Sequence, residues 1–180
     1  MPVDPSQVLD CGMGLMSCGL LLYRFNSAAS SGGPESGDVD TGAGIELLLA
    51  HMGGPFWARK DAGAWSIPKG ISEDGDLDVL ATAEREFGEE MGSPPPPGDS
   101  IELGSSRSGK KRIEIFAREG DFDLATFKSN EFEMEWPRGS GQMQSFPEAD
   151  RAAWVTPEQA RTLLAKSQVV FVDRLLETVT

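Results

Sequence analysis

One histidine, two cysteines and one tyrosine in 180 residues leave this chain poor in the side chains of most nucleophilic and thiolate chemistry. His51 has no paired Ser or Cys setting, so a hydrolytic triad is not supported, and it reads as a structural residue at the end of a buried strand. Cys11 and Cys18 cannot make a disulfide framework, and their scarcity suits a reducing compartment. Cations are also scarce: 16 Lys and Arg face 29 Asp and Glu, a net charge of −13. A field of that sign repels phosphate backbones and anionic headgroups, which argues against bulk nucleic-acid binding and membrane docking. A small anionic substrate stays compatible if metal ions and local cations offset the field. The apolar stretch at 12–23 is too short to span a bilayer. No Lys or Arg precedes it and no small-residue cleavage site follows, so it reads as a first strand and the expected location is cytoplasmic.

What is present suits one compact domain over 1–180, with 39% apolar and 25% charged residues. Residues 1–16 read as an N-terminal extension. Residues 26–44, rich in Ser, Gly, Ala, Pro and Asp, have almost nothing to bury and read as a mobile loop. Strands are expected at 17–25 and 45–52, paired as a hairpin with an enlarged connection. A short extended piece follows at 65–68, then strands at 101–103, 112–118, 131–136 and 152–155. Pro157 opens a helix running to about Lys166, and 168–179 forms a last one. Strands outnumber helices without regular alternation, which predicts an α+β fold with a mixed sheet.

The chemistry concentrates in residues 78–92. Glu86, Glu89 and Glu90 fall within five residues of a stretch whose Leu80, Ala83, Phe87 and Met91 recur at helical spacing. On a helix that spacing projects all three carboxylates to one side, opposite the apolar stripe. Asp76 or Asp78 can cap the first turn, Gly92 ends the helix, and the prolines at 94–97 prevent its continuation. Three like charges so close destabilise one another unless a cation sits among them. Oxygen donors without His or Cys suit a hard divalent ion, Mg²⁺ or Mn²⁺.

These residues carry a family resemblance. Arg85-Glu86-Phe87-Gly88-Glu89-Glu90-Met91-Gly92, opened upstream by Gly70 and led in by Trp65-Ser66-Ile67-Pro68-Lys69, resembles the signature of the Nudix hydrolases. The gap from Gly70 to Arg85 is one residue longer than in that signature, and its early Glu is replaced by Asp76 or Leu77, depending on the end counted from. The resemblance implies an α/β/α sandwich and Mg²⁺-dependent hydrolysis of a diphosphate linkage in a nucleoside-diphosphate-linked substrate. That substrate is a nucleoside triphosphate, a dinucleoside polyphosphate or a nucleotide sugar. It further implies that Glu86, Glu89, Glu90 and the Gly70 carbonyl hold the metal. Arg85 then orients a glutamate, and one of the carboxylates or a more distant Glu takes the proton from water. A non-catalytic module that keeps the fold and binds a nucleotide or protein is the competing class.

On the substrate side, Arg59, Lys60 and Lys69 are cations just before the motif in an acidic chain and are candidates for phosphate contacts. Lys110-Lys111-Arg112 is a second cationic group that reads more simply as the end of a loop. Phe56 and Trp57 follow Gly53-Gly54-Pro55 and are candidates for stacking on a base, with core packing as the alternative. Tyr23, Trp136 and Trp154 read as core. Glu133 and Glu135 are candidates for an extra ligand or base, against a simpler reading as an exposed strand face. Nothing in the sequence fixes the number of subunits.

Overall fold

A computed structural model describes residues 15–26, 44–73 and 78–180. Residues 1–14 of the proposed N-terminal extension, nearly all of the 26–44 loop, and both Asp76 and Leu77 lie outside these residues, and Met16 begins the first strand. The elements are β1 (Met16–Phe25), β2 (Ile45–Met52), β3 (Trp65–Ser66), β4 (Lys69–Ile71), α1 (Val79–Met91), β5 (Ser100–Ser108), β6 (Lys111–Glu119), β7 (Glu131–Glu135), β8 (Met143–Pro147), β9 (Ala149–Val155), α2 (Pro157–Leu163) and α3 (Val169–Val179).

Seven strands form one mixed sheet in the order β3-β2-β1-β6-β5, with β4 on β1 and β9 on β2. β1 is its spine. Most of its length pairs in parallel with β6, from Met16↔Arg112 to Tyr23↔Glu119. Its other edge is shared: Tyr23–Phe25 pair antiparallel with β2, and Ser17–Gly19 pair with β4. The expected β1–β2 hairpin is therefore present, but β2 leaves β1 after Leu47 and pairs further on with β3, while β9 pairs with β2 from Leu47 onward. The wedge so opened admits Lys69 and Gly70, which sets the site at the head of β1.

Because β1 is covered on both faces, it reads as a continuous apolar run and not as an alternation. Leu21 and Tyr23 face a core closed by Ala160, Leu164, Phe171, Val172 and Leu175 from the α2–α3 side. Cys18, Leu20 and Leu22 face the opposite core, closed by Ala83, Phe87 and Met91 of α1. The two helix-covered faces give the expected α/β/α layering. On α1 the stripe starts at Val79, which packs on that core, and not at Leu80, because Val79, Ala83, Phe87 and Met91 share the i, i+4 row. Phe87 is fully buried, so truncation to Ala would cost about 3–5 kcal/mol. Asp78 caps α1 by accepting from the N–H groups of Leu80 and Ala81 at 2.9 and 3.2 Å.

β7 and β8 form a separate two-stranded ribbon. Only β7 is anticipated by the sequence, since Met143-Gln144-Ser145-Phe146-Pro147 has no alternation to mark it. The ribbon also corrects Trp136: it belongs to neither core, and its ring meets Phe56 edge-to-face at 5.3 Å.

Candidate active site

Helix α1 and the Lys69–Gly70 turn of backbone meet at the carboxylate cluster. Glu86, on the buried side of α1, is 8% exposed, and its carboxylate lies against the Gly70 backbone. A Cβ at residue 70 would stand 1.6 Å from Glu86 Oε2, so any side chain there would displace that carboxylate. The Gly70 carbonyl accepts from Ser17 Oγ at 2.8 Å, which ties β4 to the head of β1. Glu90, one turn along from Glu86, accepts the Lys69 backbone N–H at Oε2, 3.2 Å away. Arg85 Nη1 lies 2.8 Å from Glu86 Oε1 and 3.2 Å from Glu89 Oε1, so one guanidinium orients two of the three glutamates. Of the three, Glu89 is the exposed one.

Burial without enough positive charge dominates the electrostatics. Desolvation pushes the Glu90 carboxyl up to about 7, and the charges of Glu148 and Glu86 push it the same way; the Lys69 cation and N–H only partly oppose this. Burial also raises Glu86, helped by Glu89 and Glu148 and opposed by Arg85. Lys69 is held below the usual lysine range by burial and by Lys111, with Glu90 and Glu86 acting against the shift.

Two of these charges come from distant segments. Lys111 belongs to the second cationic group, read more simply as a loop end, but β4 and β6 flank β1, and this brings it within electrostatic reach of Lys69. Glu148 is an exposed carboxylate between β8 and β9, and its charge acts on both Glu86 and Glu90. Its N–H donates to the Asn130 carbonyl at 2.8 Å, and its own carbonyl accepts from Gly53 N–H at 2.8 Å. Gly53 is required for that approach, because a Cβ there would meet the Pro147 carbonyl oxygen at 1.9 Å. The segment leading to the ribbon is tied to the end of α1 by Lys128 N–H to Met91 O (3.1 Å) and Asn130 N–H to Glu89 O (3.4 Å). No spacing rule marks Glu148, since it reaches the site only through these nonlocal bonds.

The remaining candidates sit elsewhere. Trp57 packs against the core on the α2–α3 side, and the Lys60 ammonium lies 5.1 Å over its ring. Arg59 is exposed on the same β2–β3 loop. Lys69 and Lys111, and not Arg59 or Lys60, are the lysines whose charge registers in the cluster. Phe56 is 43% exposed, with the Arg138 guanidinium 5.1 Å over its ring. Glu133 and Glu135 are exposed on the outer side of the ribbon, the simpler of their two readings. Tyr23 is buried in one core and Trp154 packs against the other, as expected.

The cluster fits a hard divalent cation in its chemistry. Its donors are carboxylate and carbonyl oxygens only, the Glu86 carboxylate occupies a space that only glycine leaves open, and both inner acids are short of positive charge. Among the described residues, no three His, Cys, Asp or Glu side chains are gathered closely enough to enclose an ion as they stand.

Comparison with known proteins agrees with this geometry. A profile of the NUDIX domain matches residues 39–175. No curated protein is significantly similar in sequence. Among solved structures, the NUDIX domain of Shewanella oneidensis NrtR complexed with ADP ribose is similar at 13% identity over 99% of this chain and 94% of that one, with a TM-score of 0.59. A C. elegans Ap4A hydrolase binary complex is similar at 15% identity over 92% and 97%, with a TM-score of 0.52. The MutT protein of Methanosarcina mazei Go1 is similar at 19% identity over 92% and 96%, with a TM-score of 0.53. At these identities the structures establish the fold, while the profile spans most of the chain. The protein therefore belongs to the NUDIX domain family and is a Nudix hydrolase acting on phosphoric anhydrides.

Proposed function

We propose that the protein is a Mg²⁺- or Mn²⁺-dependent pyrophosphohydrolase that cleaves the diphosphate linkage of a nucleoside-diphosphate-linked small molecule. The observation that carries this reading is the buried pair Glu86 and Glu90, raised together beside Gly70 and Lys69. Such a pair destabilises an empty fold and becomes favourable when a divalent ion neutralises it. Glu86, Glu89, Glu90 and the Gly70 carbonyl would hold the metal. When bound, it supplies charge neutralisation on the phosphates and acidifies water.

The chain's own residues do the rest. Arg85 keeps Glu86 and Glu89 aimed at the cluster. Lys69, supported by Lys111, offers positive charge to a phosphate arriving at the head of β1. Glu148 is open to solvent and adjacent to the inner acids, so it takes the proton as the water oxygen bonds to phosphorus and the bridging P–O bond breaks. The leaving phosphate departs with that bridging oxygen. Arg59, Lys60 and Trp57 belong to the β2–β3 loop, whose first residue, Gly53, bonds the Glu148 backbone; their contribution is to more distant parts of the substrate. The ADP ribose and Ap4A named for two similar structures support a nucleotide sugar or dinucleoside polyphosphate, alongside a nucleoside triphosphate. Among the described residues no helix is long and apolar enough to cross a membrane, and the net charge of −13 disfavours nucleic acid as a substrate, which supports a cytoplasmic enzyme of small molecules.

Phosphate and nucleotide release from a panel of nucleoside triphosphates, dinucleoside polyphosphates and nucleotide sugars, with and without Mg²⁺, tests the reading. Turnover of at least one class that depends on the metal is expected, and Glu89→Gln and Glu90→Gln should abolish it without unfolding the protein. Full activity of both variants at saturating Mg²⁺ would remove the carboxylate cluster from the mechanism.

A further inference from the structure

His51, the chain's one histidine, is wholly buried at the end of β2, yet both its ring nitrogens face oxygen. Nδ1 lies 2.7 Å from Asp150 Oδ1, and Nε2 lies 2.7 Å from the Lys60 carbonyl oxygen. A backbone carbonyl can only accept, so Nε2 carries a hydrogen. The Asp150 side chain, 32% exposed, supplies the oxygen that Nδ1 meets.

The clasp stands where the ladder fails. The β2–β9 register shifts between His51 and Met52, so backbone pairing alone does not fix how β9 begins. Side chains take over at that point. His51 joins Asp150 of β9 to the β2–β3 loop at Lys60, and Arg151 Nη2 joins Asp61 Oδ1 of the same loop at 2.6 Å. The Trp65 indole lies edge-on to the imidazole at 5.3 Å, with Arg151 at 5.3 Å over the indole. The neighbouring charges are thus Asp150 and Arg151 on β9, and Asp61 and Lys60 on the loop. The Lys60 ammonium is engaged with Trp57. Two residues before Asp150 is Glu148, whose carbonyl is held by Gly53, two residues after His51.

We infer that His51 is a positioning residue: by bridging Asp150 and the Lys60 carbonyl it fixes the start of β9, and so holds Glu148 beside the inner carboxylates. The functional half rests on Glu148 as the proton acceptor proposed above; the structural half does not.

Asp150→Ala removes the ring's partner on β9, whereas Asp150→Asn keeps a polar group that Nδ1 can reach. In the Ala variant, hydrogen exchange at the Gly53 and Glu148 amides should quicken by about tenfold or more while that of Leu21 in the core stays unchanged. Unchanged exchange at both amides would overturn the clasp. With a substrate from the panel, kcat should fall about tenfold at constant KM in Asp150→Ala and recover largely in Asp150→Asn. A change confined to KM would separate His51 from Glu148. If no form of the protein hydrolyses any substrate, the proposed function fails, and amide exchange still decides the clasp.

Discussion

Ionising Glu90 in the metal-free protein should cost it stability, in a direction opposite to that of most paired surface carboxylates. The group is pushed from 4.5 to about 7, chiefly by burial. Between those values the native state holds a proton that the unfolded chain has released, so stability falls as pH rises through the window. At about 1.4 kcal/mol per pH unit, the full window amounts to on the order of 3 kcal/mol. Glu86 is raised as well and steepens the fall. Lys69, held below its usual 10.5, acts in the other sense, since its penalty fades as pH climbs towards that value. Urea unfolding in a chelator, followed by tryptophan fluorescence at pH 5 and pH 8, reads the effect. With a slope of about 2 kcal/mol per M, the loss corresponds to a midpoint lower by roughly 1.5 M at pH 8. Other acids titrate in the same range, so the decisive quantity is wild type minus Glu90→Gln, in which Glu90's share of the slope disappears. Mg²⁺ at pH 8 should restore the midpoint of wild type and not of the variant. Identical pH slopes in the two proteins would refute the claim that Glu90 is buried without adequate compensation.

Gly70→Ala places a methyl group 1.6 Å from Glu86 Oε2, so the carboxylate must swing aside. A displacement on that scale should lower kcat about 100-fold, which steady-state kinetics at saturating Mg²⁺ would show; activity within about threefold of wild type would mean that Glu86 has no fixed working position. Glu148→Gln preserves size and removes the proton acceptor, so kcat should drop by about 10²–10⁴ while metal affinity measured by calorimetry holds. An equal loss of metal affinity would instead reassign Glu148 to ion binding.

Elements defined by a local period were legible in the sequence. The helix over α1, its Asp78 cap and Gly92 terminus follow from spacing and end chemistry, and the β1–β2 pairing follows from two apolar runs. Elements defined by partners were not. β8 is exposed along most of its length and is a strand because each of its residues faces one of β7, from Glu131↔Pro147 to Glu135↔Met143. Trp136 has the composition of a core residue, but the ribbon carries it to Phe56, outside both cores.

The same division runs through the site. Helical spacing suffices to put Glu86, Glu89 and Glu90 on one side, but it says nothing of how each is charged, because that depends on what covers them. Lys69 comes with the motif. Lys111 arrives only because β1 pairs with β4 on one edge and β6 on the other, and Glu148 only because Asn130 and Gly53 grip its backbone from opposite sides. Each of these groups reaches the cluster by a pairing between distant segments, where a shift of one residue would turn its side chain away. The proposed metal-binding half of the chemistry is therefore written mainly in one short helix. The proposed proton-accepting half depends on the loop, ribbon and strand that meet at Glu148, and this is where variation among proteins sharing the helix can redirect the reaction without touching the glutamates.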